Sequence, residues 1–248
     1  MAEESSLPGK TWPRKAAIFG ASGGIGAALA RLLVDNNVPV LAGAREGQVP
    51  KHHLITPFSF DLTDECSIAG AAQAMRDGLP DLVIIATGVL TLEDGTGPER
   101  SHRSITAEVM AQVMQVNAIG PALIARHMLP LMPRENRWVF AALSAKVGSI
   151  SDNRMGGWHS YRASKAALNM LIRNFALEMK RTHKQGVALA LHPGTVDTAL
   201  SAPFHGNLPP GQLTNRREAA TRLLQVIKNA GPEDSGKLLS WDGSEIAP

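Results

Sequence analysis

The sequence of 248 residues has very little cysteine and no long apolar run. Its one cysteine, Cys66, excludes an internal disulfide and favours a reducing compartment. No apolar run approaches the ~20 residues that a membrane-spanning helix needs, and the N-terminal residues lack the apolar segment of a signal peptide. These absences predict a protein that does not enter a membrane and lies in the cytoplasm.

An excess of charge of one sign is also missing, and aromatic residues are few. The chain has 25 Lys and Arg residues and 22 Asp and Glu residues, for a net charge of +3. The basic residues are scattered along the sequence. Aromatic residues make up 4% of the chain, with none of the interleaving with basic residues that stacks nucleic-acid bases. The eight histidines show no metal-ligand spacing. We therefore expect no nucleic-acid partner, no membrane partner and no metal.

Short apolar runs alternate with longer segments of helical periodicity. This order predicts an α/β fold, a doubly wound Rossmann-type parallel sheet with helices on both faces. No break in composition marks a second domain, so we expect a flexible N-terminal tail at 1–13 and a single domain at 14–248. A segment rich in proline and glycine at 195–213 is the expected substrate loop. The predicted strands lie at 16–20, 39–44, 58–62, 81–88, 137–145, 186–194 and 237–241.

The segment GASGGIG at 20–26 follows the first predicted strand and opens the first predicted helix. Glycines at Gly20, Gly24 and Gly26 let the backbone turn tightly and approach a pyrophosphate, whose charge the helix N-terminus attracts. Ser22 can add a hydroxyl donor. In this context the segment predicts a dinucleotide site rather than a plain turn.

Arg45 bears on which dinucleotide binds. It ends the second predicted strand, where enzymes that prefer NAD usually carry an acid, although Glu46 follows directly. A guanidinium suits the 2′-phosphate of NADP. We therefore favour NADP over NAD, with an ordinary solvated loop residue as the alternative.

Tyr161 is the only tyrosine in the chain, and Lys165 lies four residues later on the same face of a predicted helix. A phenol has an ordinary pKa near ~10, and a nearby ammonium is expected to lower it. Tyr161 could then protonate the oxygen of a ketone while hydride reaches its carbon, and Lys165 could hold the nicotinamide ribose. The pattern is common by chance, but together with the glycine segment it predicts a catalytic pair.

These features together resemble the short-chain dehydrogenase/reductase family over about 15–244. The segments at 148–169 and 235–246 are similar to its C-factor-like members. The resemblance is carried by GASGGIG at 20–26, Asp61 after the third strand, ATG at 86–88, Asn117 in VNAIGP, YRASK at 161–165 and HPGTVDT at 192–198.

The resemblance implies an NADP(H)-dependent oxidoreductase with a small-molecule carbonyl or alcohol substrate. Asn117 would break its helix locally and hold a water in a proton relay from Lys165. The helices at 105–131 and 160–181 imply a homodimer or homotetramer. The implied cofactor contacts are Gly20, Ser22, Ile25 and Gly26 at the pyrophosphate, Asp61 and Leu62 at the adenine, Ala86, Thr87 and Gly88 beside the adenosine, Asn117, Tyr161 and Lys165 in the catalytic centre, and Pro193, Gly194, Thr195 and Val196 at the nicotinamide.

The sequence departs from the family pattern at two positions. Thr87 stands near the family's structural asparagine, and we expect its hydroxyl to substitute partly by bonding backbone groups. The catalytic serine of the family usually lies three residues before a glycine. Counted back from Gly148, this position is Ala145, and Ser144 lies one residue earlier. We predict that the Ser144 Oγ lies within hydrogen-bonding distance of the substrate. Because neighbours in a strand face opposite sides, the alternative is that Ser144 packs into the fold and that Tyr161, with Ser149 or a water, holds the substrate oxygen.

The missing serine also leaves a second function open, a cofactor-binding signalling or regulatory protein with little turnover. Retention of the asparagine, tyrosine and lysine favours the enzyme. We interpret Trp158 and His159 as surface packing in preference to a pocket wall. Candidate substrate contacts in the loop at 195–213 are Phe204, His205 and Leu208.

Overall fold

A sheet of seven parallel strands forms the centre of the computed structural model, which describes residues 12–46, 48–207, 209 and 211–248. The strands are β1 (Ala16–Phe19), β2 (Val40–Ala44), β3 (Ile55–Ser59), β4 (Leu82–Ile85), β5 (Trp138–Leu143), β6 (Gly186–His192) and β9 (Leu238–Ser240). Their order across the sheet is β3-β2-β1-β4-β5-β6-β9. A separate parallel pair is formed by β7 (Thr195–Val196) and β8 (Leu213–Thr214).

Six α-helices lie in the described residues and pack around the sheet. They are α1 (Gly24–Asp35), α2 (Glu65–Ala74), α3 (Ala107–Met114), α4 (Gly120–Met128), α5 (His159–Met179) and α6 (Arg216–Asn229). Alternate residues of each strand enter opposite layers, as the pleat requires. Val139 and Ala141 pack with α1 and α6, while Phe140 and Ala142 pack with α2, α4 and α5.

The central strands are apolar throughout because helices bury both of their faces. Strands β1, β4 and β5 consist only of buried residues. The third strand lies three residues earlier than its predicted place at 58–62. It pairs through Pro57, which a strand at the edge of a sheet tolerates because one side needs no hydrogen-bond donor. The predicted α/β class and Rossmann-type sheet with helices on both faces are confirmed.

The direction of winding reverses between β1 and β4, because β2 and β3 lie on one side of β1 and the later strands lie on the other. Ligands of doubly wound sheets bind at this reversal, beyond the carboxyl ends of the strands. Helices α1 and α5 begin near this edge, and neither has a side-chain cap of its own. In contrast, Asp64 caps α2 and Asn215 caps α6.

Parts of the predicted tail and of the predicted substrate loop lie outside the described residues. Of the predicted flexible tail, residues 1–11 lie outside them, and Trp12 packs on the layer of α1 and α6 with the guanidinium of Arg137 4.2 Å from its ring centre. The predicted substrate loop holds β7, a 3₁₀ turn at Ala202–Asn207 and the start of β8, while Leu208 lies outside the described residues. None of the described helices has the length and apolarity to cross a membrane.

Candidate active site

A cavity of about 990 Å³ runs along the carboxyl edge of the sheet. Its volume is on the scale of small-molecule and cofactor sites. Of the residues predicted as cofactor contacts, and of Ser144, all but Gly26 and Asn117 line it; those that do are Gly20, Ser22, Gly24, Ile25, Arg45, Asp61, Leu62, Ala86, Thr87, Gly88, Ser144, Tyr161, Lys165, Pro193, Gly194, Thr195 and Val196.

The glycine turn leaves no room for a side chain at Gly20 or Gly26. Gly20 has φ +95°, and a Cβ there would lie 2.9 Å from the Thr87 Cγ2. A Cβ on Gly26 would lie 2.0 Å from the Gly20 carbonyl oxygen, so Gly26 acts from behind the turn and not as a cavity wall. The backbone and the first turn of α1 are thus open to the cavity, which fits the pyrophosphate of a dinucleotide.

Arg45 lies at the end of the cavity reached by β2, and its guanidinium is already paired. The Arg45 Nη2 lies 2.9 Å from Glu93 Oε1, and both side chains are largely exposed. This bond and the charge of Glu93, with smaller contributions from Asp61 and Glu46, raise the pKa of Arg45. Glu93 also lines the cavity, and no local sequence pattern indicates it, because it lies 48 residues from its partner in the chain.

Asp61 lies beside Arg45 in the same part of the cavity. Its carboxylate accepts hydrogen bonds from the backbone N and the hydroxyl of Thr63, both at 2.7 Å. These bonds, and to a smaller extent Arg45, lower the pKa of Asp61. Asp61 is therefore held as an anion in the part of the cavity where the resemblance implies the adenine.

Asn117 ties three elements together behind the cavity. It lies in a π-helical turn at Gln115–Ile119, between α3 and α4, where the resemblance implied a local break. Its side chain accepts from the Val89 N and donates to the Val89 O, both at 2.8 Å. It also donates to the Ser164 Oγ of α5 at 3.1 Å. The end of β4 and the helix of Tyr161 are thereby joined through one buried amide.

Tyr161 and Lys165 are both buried on the face of α5 that meets the cavity. The Lys165 Nζ donates to the Leu143 carbonyl at 2.9 Å and lies 5.8 Å from the centre of the Tyr161 ring. Burial lowers the pKa of Lys165 to about 8 and raises the pKa of Tyr161 to about 12. The expectation that Lys165 lowers the tyrosine pKa is wrong for the chain alone, because removal of the phenol from water dominates.

The hydroxyl of Ser144 has a partner in the packing of the fold. It donates to Asn169 Oδ1 on α5 at 2.6 Å, and the residue is 4% exposed. Ser144 continues the side of β5 on which Phe140 and Ala142 meet α5, so the parity of the strand aims it there. Ala145 follows it on the cavity wall. The catalytic role of Ser144 stays a prediction, now with a competing partner for its hydroxyl.

Ser149, the predicted substitute, accepts from the Asp152 N at 3.1 Å and is not among the residues that line the cavity.

Thr87 does not make the bonds expected of it. Its hydroxyl is buried and has no hydrogen-bond partner within the described part of the chain. The prediction that it bonds backbone groups is therefore wrong, because the methyl of Thr87 packs against Gly20 while Asn117 binds the backbone after β4. The hydroxyl lies on the wall of the cavity, where a ligand could bind it.

An aromatic wall forms the end of the cavity beyond Tyr161. The ring of Trp158 lies 4.9 Å from that of Phe204 and 6.2 Å from that of Tyr161, centre to centre. Trp158 lines the cavity, so its interpretation as surface packing is wrong. Its backbone has φ 52° and ψ 44°, a left-handed conformation that is costly for a bulky residue and common at functional sites.

Two further residues at this end were not predicted. His192 lines the cavity, and burial, together with the charge of Lys146, lowers its pKa to about 4, so its ring is neutral at pH 7. Lys146 lines the cavity as well. Of the other predicted substrate contacts, Phe204 lines the cavity, whereas His205 bonds the Ser201 Oγ at 2.8 Å and is not part of the wall.

The fold brings a dinucleotide-sized cleft and a buried tyrosine and lysine into one cavity, as in the class of dinucleotide-dependent oxidoreductases. Comparison with known proteins makes the class specific. A family model described as short chain dehydrogenase matches residues 14–207. The chain belongs to the short-chain dehydrogenase/reductase family and is an NAD(P)-dependent oxidoreductase.

Relatives and solved structures extend the comparison. The chain is 31% identical over 235 residues to 1-hydroxy-2-glutathionyl-2-methyl-3-butene dehydrogenase of Rhodococcus sp. (strain AD45), covering 92% of this chain and 96% of that protein. It is 33% identical over 138 residues to C-signal of Myxococcus xanthus, covering 55% and 77%, in agreement with the predicted C-factor-like resemblance. The NADPH-bound carbonyl reductase from chicken fatty liver superposes with a TM-score of 0.80 at 26% identity, covering 95% and 94%.

Proposed function

We propose that this protein is an NADP(H)-dependent oxidoreductase that interconverts a carbonyl compound and its alcohol. The observation that carries the proposal is the buried pair of Tyr161 and Lys165 on the wall of a cavity that also holds the glycine turn. The nicotinamide would supply or accept the hydride. Tyr161 would donate a proton to the carbonyl oxygen in reduction and accept it back in oxidation.

The residues of the cavity suit the parts of the cofactor in order. The glycine turn, with Ser22, Gly24 and Ile25, would hold the pyrophosphate. Asp61 and Leu62 would hold the adenine, with Ala86, Thr87 and Gly88 alongside. Arg45 would bind the 2′-phosphate, which supports NADP over NAD. The nicotinamide would lie against Pro193, Gly194, Thr195 and Val196, beside Tyr161 and Lys165.

The proton would be held and moved by a short chain of groups. Lys165 is protonated below about pH 8, and the Leu143 carbonyl holds its Nζ at 5.8 Å from the centre of the Tyr161 ring. Asn117 would hold a water that carries protons onward from Lys165. The neutral ring of Tyr161 at pH 7 is the form that a reductase needs, because the phenol must carry the proton that it donates.

A screen of NADPH oxidation with ketones, aldehydes and quinones tests the proposal, with Tyr161→Phe as the variant. We expect the variant to lose roughly 10²- to 10⁴-fold in kcat, as removal of a general acid does, with NADPH affinity kept within about threefold. NADPH binding measured by fluorescence provides the control for a folded site. A Tyr161→Phe enzyme as active as the parent would contradict the proposal.

A cofactor-binding signalling or regulatory protein with little turnover is the second candidate. Ala145 in place of the usual serine, with the Ser144 hydroxyl bound to Asn169, favours it, and one relative carries the name C-signal. Tight NADPH binding with no turnover across the substrate panel would support this candidate over the reductase.

The assembly of the protein is a separate proposal. Met170 and Leu177 lie seven residues apart on α5 and are 61% and 51% exposed, and Ile119 beside α4 is 45% exposed. These apolar side chains support a homodimer or homotetramer formed through α4 and α5. A cytoplasmic location stays a prediction from the sequence.

A further inference from the structure

The helix of Tyr161 begins without a cap of its own. Helix α5 starts at His159, and its N-cap residue, Trp158, makes no side-chain hydrogen bond to the first turn. Ser160 and Tyr161 in that turn are buried, so their backbone donors are shielded from bulk water. Buried helix ends need acceptors from elsewhere in the fold, because an orphaned N–H group is costly.

Glu99 supplies these acceptors from the loop that follows β4, 61 residues earlier in the chain. Its Oε2 accepts from the Ser160 N at 3.1 Å, and its Oε1 accepts from the Ser160 hydroxyl. Its backbone carbonyl accepts from the Trp158 N at 2.5 Å. One residue thus binds the chain on both sides of His159, where α5 starts.

The carboxylate of Glu99 is buried, at 5% exposure. Burial alone would raise its pKa, but the hydrogen bonds from Ser160 and the charge of the neighbouring His159 outweigh burial and lower the pKa. Glu99 is therefore an anion at neutral pH. An anion at the N-terminus of a helix is favoured by the helix dipole, and few carboxylates are buried without such partners.

Both residues that Glu99 binds, Ser160 and Trp158, lie next to the proposed substrate end of the cavity. Ser160 directly precedes Tyr161, and Trp158 forms the aromatic wall whose ring lies 6.2 Å from the Tyr161 ring. The left-handed backbone of Trp158 needs support from its surroundings, since the conformation costs energy by itself.

We infer that Glu99 is a positioning residue that fixes the Tyr161 phenol and the Trp158 ring relative to the substrate. It acts through the first turn of α5 and does not itself touch the substrate or the cofactor. The inference rests on the proposed function of Tyr161 as the proton donor. It adds a determinant of that donor's geometry which lies on a different loop from every other predicted catalytic residue.

The single tyrosine of the chain allows a test that needs neither turnover nor cofactor. Protein labelled with ¹³C at the tyrosine Cζ has one resonance, from Tyr161. In Glu99→Ala we expect this resonance to shift or broaden as the ring leaves its single position. In Glu99→Gln we expect a smaller change, because the amide oxygen can still accept from the Ser160 N. Glu135→Ala, at an exposed acid in the loop before β5, is the matched control and keeps the parent spectrum.

Kinetics give the second readout. Glu99→Ala is expected to lower kcat by roughly ten- to a hundredfold, as a small misplacement of a catalytic group does, with the NADPH Kd within about twofold of the parent. Glu99→Gln should recover part of the loss. Should Glu99→Ala fail to fold, Glu99→Gln and Ser160→Ala carry the same two measurements.

The outcomes separate the inference from the proposed function. A folded Glu99→Ala with the parent resonance and the parent kcat overturns the inference, and so does a variant that loses only thermal stability. A parent protein without turnover on any carbonyl overturns the proposed function, while the tyrosine resonance still decides whether Glu99 holds the ring.

Discussion

At the scale of single residues, the neighbours Ser144 and Ala145 both line the cavity but differ in the groups that they carry. Ser144 directly follows β5 on the side of the strand that meets α5, and its hydroxyl binds Asn169. Ala145 has no hydroxyl. A substrate oxygen near Tyr161 would then lack the second donor that a serine at 145 provides, unless the hydroxyl of Ser144 leaves Asn169.

Two single substitutions measure whether a hydroxyl at position 144 or at position 145 contributes to turnover. We expect Ala145→Ser to raise kcat/KM for a carbonyl substrate by roughly tenfold or more, because a fixed donor to the oxygen stabilises developing charge. We expect Ser144→Ala to leave turnover within about threefold, with some loss of thermal stability from the broken bond to Asn169. A hundredfold loss in Ser144→Ala would instead assign the catalytic hydroxyl to Ser144.

A second residue-scale feature is the ion pair of Arg45 with Glu93. The pair lies on the surface at 2.9 Å, where such contacts contribute about 0.2–1 kcal/mol. If Arg45 binds a 2′-phosphate as proposed, Glu93 competes for the same guanidinium, but only weakly.

Substitutions of Arg45 and of Glu93 should change the KM for NADPH in opposite directions. Arg45→Asp is expected to raise the KM for NADPH far more than the KM for NADH, because only the former carries the phosphate. Glu93→Gln is expected to lower the KM for NADPH by about two- to fivefold, the equivalent of the lost surface pair. Glu135→Gln serves as the control for loss of one negative charge. Equal effects on both cofactors would show that Arg45 does not bind the phosphate.

At the scale of elements, residues of two other segments hold the first two turns of α5. Its first turn is held by Glu99 and its second by Asn117 through Ser164, so Tyr161 lies between two buried polar anchors. Ser164 in turn donates to the Tyr161 carbonyl at 2.8 Å. The π-helical turn that carries Asn117 therefore supports the first turns of α5.

The burial of Lys165 in α5 predicts a pH dependence of cofactor binding. Burial places its pKa at about 8, so the ammonium is present below that pH and is lost as the pH rises through it. If the ammonium holds the nicotinamide ribose, the NADPH Kd should be flat below about pH 8 and should rise by up to about tenfold per pH unit above it. Titration of NADPH fluorescence from about pH 6 to about pH 10 measures this.

Variants assign the titrating group. Lys165→Met should abolish the dependence on pH, whereas Tyr161→Phe should keep it, because the pKa of Tyr161 is raised to about 12 and lies outside the range. Lys184→Met, at an exposed lysine after α5, is the control for loss of one positive charge. A Kd in the parent that stays constant across this range would rule out the ammonium as a cofactor ligand.

At the scale of the whole molecule, the sheet divides the helices into two layers that carry different parts of the proposed site. Helices α1 and α6 cover one face, and α1 opens at the glycine turn. Helices α2, α4 and α5 cover the other, where Met170 and Leu177 of α5 and Ile119, directly before α4, are exposed apolar residues. The second layer therefore has both the proposed catalytic pair and the proposed contact between subunits.

Light scattering after size-exclusion chromatography tests the assembly. We expect a mass of two or four chains for the parent and a smaller mass for the double variant Met170→Glu and Leu177→Glu, since buried charges without partners oppose association. Leu213→Glu, at an exposed leucine of β8, should keep the parent mass. A parent mass of one chain, about 26.4 kDa, would contradict the proposal.

The sequence by itself determined the order of strands and helices, the glycine turn and the pair of Tyr161 and Lys165. These features depend on residues close together in the chain. Strands that are apolar throughout, glycines spaced for one turn and a four-residue interval on a helix are each readable over a few positions. The third strand was misplaced by three residues, because its position at the edge admits a proline that a local pattern counts against a strand.

Only the tertiary structure decided the contacts that tune the site, because their partners are far apart in the sequence. Ser144 meets Asn169 across 25 residues, Arg45 meets Glu93 across 48, and Glu99 meets Ser160 across 61. The pKa of Tyr161 followed burial and not its neighbouring lysine, and burial is a property of the packed molecule. Local periodicity therefore specified which residues form the site, while packing between distant segments decided how each of them is oriented, charged and held.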